Sequence, residues 1–172
     1  MRHLLPETSS THTCIVSSPY HVAISVSWTP RGISKVEFLK KRPRTIPQPI
    51  ETPAFLNQFI SLLNSHFRGI PVSFSHIPLD IPSASPFDRQ VWLICQQIPW
   101  GQTRSYGSLA TQLNKPGGAR AVGNALRRNP VPLIVPCHRV TRADGSVGGF
   151  RYGTQVKANL LRIENPPSKR QQ

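Results

Sequence analysis

The first third of the chain contains two stretches in which apolar and polar residues alternate. Residues 20–28 (YHVAISVSW) place Val22, Ile24, Val26 and Trp28 on one face, and residues 32–39 (GISKVEFL) repeat the alternation less regularly. Side chains that alternate with a period of two are typical of a half-buried strand. The sequence Thr-Pro-Arg-Gly between the two stretches is typical of a turn, so the pattern predicts a β-hairpin.

The apolar period changes to a helical one further along. Residues 53–67 carry apolar side chains at helical spacing, which predicts an amphipathic helix: Phe55, Phe59, Leu62, Leu63 and Phe67. The preceding stretch, residues 40–49 (KKRPRTIPQP), is basic and rich in proline. We interpret it as a solvated loop, and a nuclear-import signal is the alternative.

Prolines recur between residues 69 and 86, where only short extended pieces fit between them. Proline blocks helix formation and stiffens a connection. We therefore place a domain boundary near residue 83. Residues 1–83 are expected to form a structural domain with a small sheet and one helix, and residues 84–172 to form the domain that carries the function.

The second part of the chain is predicted to be largely helical. Pro86 opens a helical segment with Phe87, Val91, Trp92 and Ile94, and Pro99 ends it. Residues 105–113 (SYGSLATQL) and 119–128 (ARAVGNALRR) predict two short helices, joined by a turn that contains Pro116, Gly117 and Gly118. This arrangement resembles a helix-turn-helix. A further helix is predicted over residues 154–164 (TQVKANLLRIE).

The two faces of the helix over residues 119–128 differ in character. Its spacing directs one set of apolar residues inward: Ala121, Val122, Ala125 and Leu126. The other face is cationic and almost free of bulky side chains: Arg120, Gly123, Asn124, Arg127 and Arg128. Small residues permit close approach to a partner, and arginines bind phosphates or bases, so this face predicts a nucleic-acid contact. The alternative is an ordinary solvated helix face.

The charge of the chain supports that prediction. Lys and Arg number 21 against 7 Asp and Glu, a formal net charge of +14. Residues 84–172 hold 13 of the basic and 3 of the acidic residues, so they carry +10 of it. Such an excess favours a polyanionic partner, because each cation placed on a phosphate releases a condensed counterion. Charge that only maintains solubility is the alternative.

The segment PVPLIVPCHRV, residues 130–140, holds the candidate chemistry. Its apolar run predicts a short buried strand over residues 133–135 that Pro136 ends, which would present Cys137 from a rigid element. His138 could take the thiol proton, and a carboxylate such as Glu164 could orient that imidazole. Each residue also has a plainer explanation: a core cysteine, a histidine in a turn and a glutamate on a helix surface.

The cysteine content points away from structural cross-links and metal. Cys14, Cys95 and Cys137 show no paired spacing, which favours a reducing compartment. His3, His12 and His21 are scattered around Cys14, so we expect no metal site. We see no signal-peptide pattern and no apolar run long enough to span a membrane. The expected location is cytoplasmic, or nuclear if the source is eukaryotic.

The run NPVPLIVPCHRVTRADGSVGGFRYG, with LLRIE after it, resembles the reactive segment of the O6-alkylguanine-DNA alkyltransferases. The family's Pro-Cys-His-Arg-Val string stands here at residues 136–140. The likeness continues upstream through FDRQVW, PWGQTRSYGSLA and GARAVGNALRRNPVP, so it covers residues 84–164 densely and the first domain loosely. It implies an α+β protein with an RNase-H-like N-terminal domain and a helical C-terminal domain bearing a winged-helix-like helix-turn-helix.

The resemblance implies direct reversal of DNA damage: a stoichiometric, irreversible, cofactor-free transfer of an alkyl group from O6-alkylguanine, and less efficiently O4-alkylthymine, to a cysteine. Cys137 matches the alkyl acceptor. His138 matches the base that takes its proton through a bound water, Glu164 the carboxylate that orients this base, and Asn129 the asparagine that braces the turn carrying the cysteine.

The resemblance also implies how DNA is bound. Tyr106 matches the tyrosine that helps rotate the target nucleotide out of the duplex, and Arg120 the arginine that fills the vacated space. The helix of Arg120 would lie in the minor groove, where Ala121 and Gly123 leave room for close approach and Arg127 adds positive charge. A monomer is expected, and cooperative binding along DNA is left open.

The walls of the guanine pocket match Pro132, Val140 and the loop of residues 147–151. Phe150 stands where many members have tyrosine, and Arg151 where some have serine, which places the breadth of the pocket in doubt. Three other functions are alternatives to alkyl transfer. Lesion flagging without repair normally replaces the cysteine, methyl-dependent transcriptional regulation normally needs an additional sensor domain, and a cysteine hydrolase would need an oxyanion site that the sequence does not show.

Overall fold

A small antiparallel sheet forms the N-terminal part of the protein, whose computed structural model describes residues 11–17, 23–41 and 52–166. Its strands are β1 (His12–Ser17), β2 (Ala23–Thr29) and β3 (Gly32–Leu39), in the order β1-β2-β3. The predicted hairpin corresponds to β2 and β3, and Pro30 and Arg31 form its turn. Residues 20–22 of the predicted first strand lie outside the described residues.

Strand β1 was missed by the sequence analysis. It pairs antiparallel with β2, and Cys14 lies opposite Val26. Cys14 is the buried side chain of this strand, whereas Ile15 and Val16 are half-buried and His12 and Thr13 are exposed. The apolar alternation that identifies a strand is therefore too weak here to be read from the sequence.

Helix α1 (Ala54–Phe67) confirms the helix that the spacing predicts over residues 53–67 and contributes to the same apolar core as the sheet. Phe59, Leu63 and Phe67 are buried as expected, but Phe55 and Leu62 are only half-buried. Leu56 and His66 complete the buried face. Of the proposed basic loop, Lys40 and Lys41 are exposed and residues 42–49 lie outside the described residues.

The proline-rich stretch after α1 is attached to the sheet rather than free. Ile33 N–H donates to the Pro78 carbonyl at 2.9 Å, and Asp80 N–H donates to the Ile33 carbonyl at 3.0 Å. Ile33 and Leu79 thereby form a short parallel bridge at the start of β3. This stretch leads into the helical part, and the predicted domain boundary near residue 83 stays a prediction.

Four further helices follow where the sequence predicts them, with slightly different ends: α2 (Pro86–Gln96), α3 (Tyr106–Gln112), α4 (Ala119–Arg127) and α5 (Thr154–Glu164). Ser85 caps α2 and Ser105 caps α3, because each hydroxyl accepts an N–H of the first turn. Two-residue strands, β4 (Arg104–Ser105) and β5 (Val140–Thr141), pair in parallel beside α3.

One continuous apolar core joins the sheet to the helices. It includes Trp28 of β2, Phe59 of α1, Val91 of α2 and Leu109 of α3, each buried. The result is an α+β protein in which a segment from the end of α4 to β5 crosses this core. Among the described residues, no helix is both long and apolar enough to cross a membrane.

Candidate active site

Residues 133–135 form a tight buried turn, so the predicted strand is wrong. Pro132 and Val135 form an isolated bridge, Val135 N–H donates to the Val131 carbonyl at 3.0 Å, and Leu133 has a φ of +75°. The side chains are buried as predicted. A run this short folds back on itself because Pro130, Pro132 and Pro136 lack the N–H groups that a strand would donate to a neighbour.

Asn129 holds this turn together. Its Oδ1 accepts the Val131 N–H at 2.9 Å, and its Nδ2 donates to the Val135 carbonyl at 2.9 Å. The same Nδ2 lies 3.3 Å from Cys137 Sγ, where it can donate to the sulfur. Because Asn129 is itself 2% exposed, these bonds are shielded from water and fix the cysteine relative to the turn.

Cys137 begins a 3-10 helix, Cys137–Arg139, directly after the turn. Cys137 is 7% exposed, and burial raises the pKa of its thiol above the ordinary value. The hydrogen bond from Asn129 and the positive charge of Lys157 act in the opposite direction and favour the thiolate. The resting group is therefore a thiol that must lose its proton during a reaction, not a preformed thiolate.

The predicted pair of His138 and Glu164 is present. His138 Nε2 lies 2.8 Å from Glu164 Oε1, and both side chains are buried. Burial lowers the pKa of His138, and the hydrogen bond and charge of Glu164 oppose that effect. The other ring nitrogen, Nδ1, has no hydrogen-bond partner among the described residues. This nitrogen is therefore available to accept a proton.

Arg139 belongs to the same buried cluster, which the sequence did not predict. Its Nε and Nη2 each donate to one oxygen of Glu164 at 2.9 Å, and its Nη1 donates to the Ile98 carbonyl at 2.7 Å. Gly101 N–H adds a bond to Glu164 Oε2 at 3.2 Å. Burial alone would raise the pKa of Glu164, but the bonds from His138 and Arg139 outweigh it and lower the pKa to about 2.

Lys157 was also missed by the sequence analysis. Its ammonium is buried and donates to the Val140 carbonyl at 2.5 Å, to the Gly149 carbonyl at 3.2 Å and to the Tyr106 hydroxyl at 3.2 Å. Burial lowers its pKa to about 8. The sequence could have indicated this role, because helical spacing places Lys157 on the same face of α5 as Leu160 and Glu164. A lysine on a buried face needs hydrogen-bond partners.

His66 of α1 closes the other side of this cluster. It is fully buried, and neither ring nitrogen has a hydrogen-bond partner among the described residues. Its Nδ1 lies 4.0 Å from Glu164 Oε1, and its ring packs edge-on against Trp100. Burial lowers the pKa of His66 to about 3, so the ring is neutral. His66 follows Phe59 and Leu63 at helical spacing, so the sequence pattern already indicates that it points inward.

A cavity of about 630 Å³ lies in front of Cys137. The residues that line it include three of the predicted pocket residues, Pro132, Phe150 and Arg151, together with Tyr106. Val140 is fully buried and does not line the cavity; its carbonyl instead holds Lys157. Gly148 has a φ of +70°, and a side chain there would lie 3.2 Å from the Tyr106 hydroxyl, so the loop approaches the tyrosine closely.

The cationic face of α4 forms the rim of this cavity. Arg120, Gly123 and Arg127 line it, as the predicted DNA-binding face requires. Two details differ from the sequence analysis. Ala121 is exposed rather than inward, because only Val122, Ala125 and Leu126 of this helix reach the core. Arg128 is paired with Asp88 of α2 through two bonds of 2.9 and 2.7 Å, so its charge is already partnered.

These features agree with the comparisons to known proteins. A family profile described as the DNA-binding domain of 6-O-methylguanine DNA methyltransferase matches residues 86–166. The methylated-DNA–protein-cysteine methyltransferase of Methanosarcina barkeri is 36% identical over 152 residues, which are 87% of this chain and 94% of the relative. The chain belongs to this methyltransferase family.

Solved structures of the family share the fold. The Mycobacterium tuberculosis OGT protein in complex with DNA superposes with a TM-score of 0.75 at 34% identity, covering 87% of this chain and 90% of that one. The O6-methylguanine-DNA methyltransferase of Pyrococcus kodakaraensis gives a TM-score of 0.69 at 24% identity, which shows the fold alone. An α+β architecture with a small antiparallel sheet and helices is therefore confirmed.

Within the family, the cluster around Cys137 is the candidate active site. The structure brings Cys137, His138, Glu164 and Asn129 together, as predicted, and adds Arg139, Lys157 and His66. Among the described residues, no group of His, Cys, Asp and Glu side chains is arranged to hold a metal ion.

Proposed function

We propose that the protein repairs DNA by transferring an alkyl group from O6-alkylguanine to Cys137. The observation that carries this proposal is the position of the Cys137 thiol, which faces the cavity rimmed by α4 and is held by Asn129 at 3.3 Å. Family membership supplies the reaction class. The cavity and the cationic rim supply the place for a base and for the duplex from which it comes.

The reaction needs the Cys137 proton to leave as the carbon–sulfur bond forms. His138 follows Cys137 in the 3-10 helix and has a free Nδ1, so it is the base we assign, acting through one water as the family implies. As the imidazole gains this proton, the carboxylate of Glu164 stabilises its charge at 2.8 Å. Glu164 is in turn held by Arg139 and Gly101, so it does not move during the transfer.

The alkyl carbon passes from the guanine oxygen to sulfur in one displacement. The carbon–oxygen bond breaks, its electron pair remains on the guanine, and the guanine takes up one proton to leave normal DNA. Lys157 places a positive charge beside Tyr106, on the wall of the cavity, where it favours the negative charge on sulfur and on the departing base. Because water does not displace a thioether, each molecule should act once, without a cofactor.

The target base has to leave the duplex to reach Cys137. Flipping costs on the order of a few kcal/mol, and least for a base that is already mispaired. We assign Tyr106 to rotation of the nucleotide and Arg120 to the space it vacates. Support comes from their positions on one cavity, where the Tyr106 ring would lie 3.8 Å from a side chain at Gly123. We expect α4 to enter the minor groove, where exposed Ala121 and half-buried Gly123 permit close contact.

The proposal extends to the architecture of the two domains. We infer an RNase-H-like N-terminal domain over residues 1–83 and a winged-helix-like C-terminal domain over residues 84–172. Support for the latter is the pair α3 and α4, joined by a short turn and flanked by the β4–β5 pair. We expect a monomer that acts on chromosomal DNA in the cytoplasm, or in the nucleus of a eukaryote.

Transfer of a labelled methyl group tests the proposal. A duplex with O6-methylguanine should label the wild-type protein quickly, and one with O4-methylthymine more slowly. Cys137→Ser should remain unlabelled, whereas Cys14→Ser, a substitution of a buried cysteine in β1, should be labelled like the wild type. Tight binding to the lesion without labelling would contradict the proposal and favour lesion flagging.

A further inference from the structure

One residue of the sheet contacts both sides of the cavity. Val36 lies on β3, an edge strand of the sheet. Its N–H donates to the Pro130 carbonyl at 2.8 Å, and its carbonyl accepts the Tyr152 hydroxyl at 3.2 Å. Pro130 belongs to the turn that carries Cys137, and Tyr152 belongs to the loop of residues 147–153 opposite it. A single peptide segment of β3 therefore connects the two walls between which a base would lie.

Aromatic packing strengthens the connection on the loop side. The ring of Phe38, two residues further along β3, lies 5.1 Å from the Tyr152 ring and 6.3 Å from the Phe150 ring. Phe150 and Tyr152 are themselves 5.7 Å apart. Since Phe150 and Tyr152 both line the cavity of Cys137, the sheet holds the wall that faces the reacting sulfur.

The hydrogen bond between Tyr152 and Val36 is protected. Val36 is fully buried, so its carbonyl would lose a partner if the tyrosine hydroxyl were removed. Burial raises the pKa of Tyr152 to about 12, so its hydroxyl keeps its proton and remains a donor at neutral pH. From the other side, Lys157 holds the Gly149 carbonyl of the same loop. The loop is thus fixed at both ends of its cavity-facing part.

We propose that β3 determines the size of the alkyl group that the site accepts, by holding the Phe150–Tyr152 wall against the turn of Cys137 through Val36 and Phe38. This inference rests on the proposed alkyl transfer. It gives the N-terminal part of the protein a role in substrate selection in addition to support. A methyl group needs little room beyond the guanine, whereas a benzyl group needs the wall to move, so loosening the wall should favour the larger group selectively.

The test compares rates of transfer from O6-methylguanine and O6-benzylguanine placed in the same duplex. Tyr152→Phe removes the hydroxyl and keeps the ring. We expect the benzyl-to-methyl ratio of rates to rise about three- to tenfold, the range that one net hydrogen bond supplies. Phe38→Leu loosens the same wall through the rings and should raise the ratio in the same direction.

Thr52→Val serves as the matched control. It also removes one side-chain hydrogen bond, 2.9 Å to Asn57, but at the start of α1 and away from the cavity, so the ratio should stay as in the wild type. An unchanged ratio in both Tyr152→Phe and Phe38→Leu, with folding verified by circular dichroism, would overturn the inference. A wild-type protein that accepts neither group would instead overturn the proposed function, so the two failures are distinguishable.

Discussion

The two regions that meet at the cavity are built in opposite ways. The side chains of His138 and Arg139 are buried and both bind the carboxylate of Glu164, so that both of its oxygens are used. On α4, Arg120 and Arg127 are exposed and make no ion pair or side-chain hydrogen bond with any described residue. The residues around Glu164 are therefore held in place by each other's bonds, whereas the two arginines of α4 remain available to bind phosphate.

Adjacent arginines show how sharp this difference is. Arg127 and Arg128 are both exposed and follow one another at the end of α4. Arg128 points to Asp88, whose pKa is lowered chiefly by the hydrogen bond from Arg128, whereas Arg127 lines the cavity. A basic pair in the sequence therefore divides into one residue for structure and one for binding.

Disrupting the buried cluster should have the largest effect. Glu164→Gln cannot neutralise Arg139 or stabilise a charged His138, so we expect the transfer rate to fall by about a hundred- to ten-thousand-fold. Breaking a buried ion pair should also lower the free energy of unfolding by about 3–5 kcal/mol. Rapid-quench kinetics and urea unfolding measure the two effects.

Glu37→Gln is the matched control, because Glu37 pairs with Lys35 on the surface of the sheet. Both quantities should stay close to the wild type in this variant. A Glu164→Gln protein that transfers methyl groups at the wild-type rate would show that the carboxylate does not support the base.

The arginine pair should give an intermediate effect that separates the two kinds of region. Arg127→Ala removes a free cation, so DNA affinity should fall about tenfold near 0.1 M salt. The slope of log K against log salt concentration should also become less steep, by about 0.9. Arg128→Ala should change affinity little and lower the free energy of unfolding by about 0.5–1 kcal/mol. Fluorescence anisotropy over a salt series checks the first, and urea unfolding the second. Equal losses of affinity in both variants would erase the proposed distinction.

Much of this contrast was predictable from the sequence, but not all of it. Helical spacing placed Arg120 and Arg127 on one face, and the string around Cys137 identified the reactive residues. The partners of Arg128 and Arg139 lie 40 and 25 residues away, so no local pattern reveals them. The predicted strand at residues 133–135 was wrong. An apolar run indicates only that the residues are buried, whereas the hydrogen bonding of their backbone depends on Asn129 and the surrounding prolines.

His66 marks the edge of the buried cluster and should show its effect only in the pH dependence of stability. Its pKa is about 3 in the folded protein and near 6.5 when unfolded, so the folded state binds fewer protons between these values. The contribution of neutral His66 to the free energy of unfolding is therefore fully present above pH 6.5. It is lost as the pH falls toward 3, at up to about 1.4 kcal/mol per pH unit. His66→Phe should lose this dependence, whereas His76→Phe, at an exposed position, should retain it. Urea unfolding at pH 7 and pH 5 gives the change in the free energy of unfolding between the two pH values. The same change in wild type and His66→Phe would contradict the assigned burial.

The central claim is that Cys137 receives the alkyl group and keeps it. Its most direct test is the intact mass of the protein, followed by peptide mapping, after incubation with an excess of duplex containing O6-methylguanine. The account predicts a gain of one methyl group per molecule, located on the peptide of Cys137 and absent in Cys137→Ser, with no further turnover. A methyl group on Cys95 or Cys14, or restored guanine without any gain in protein mass, would contradict it.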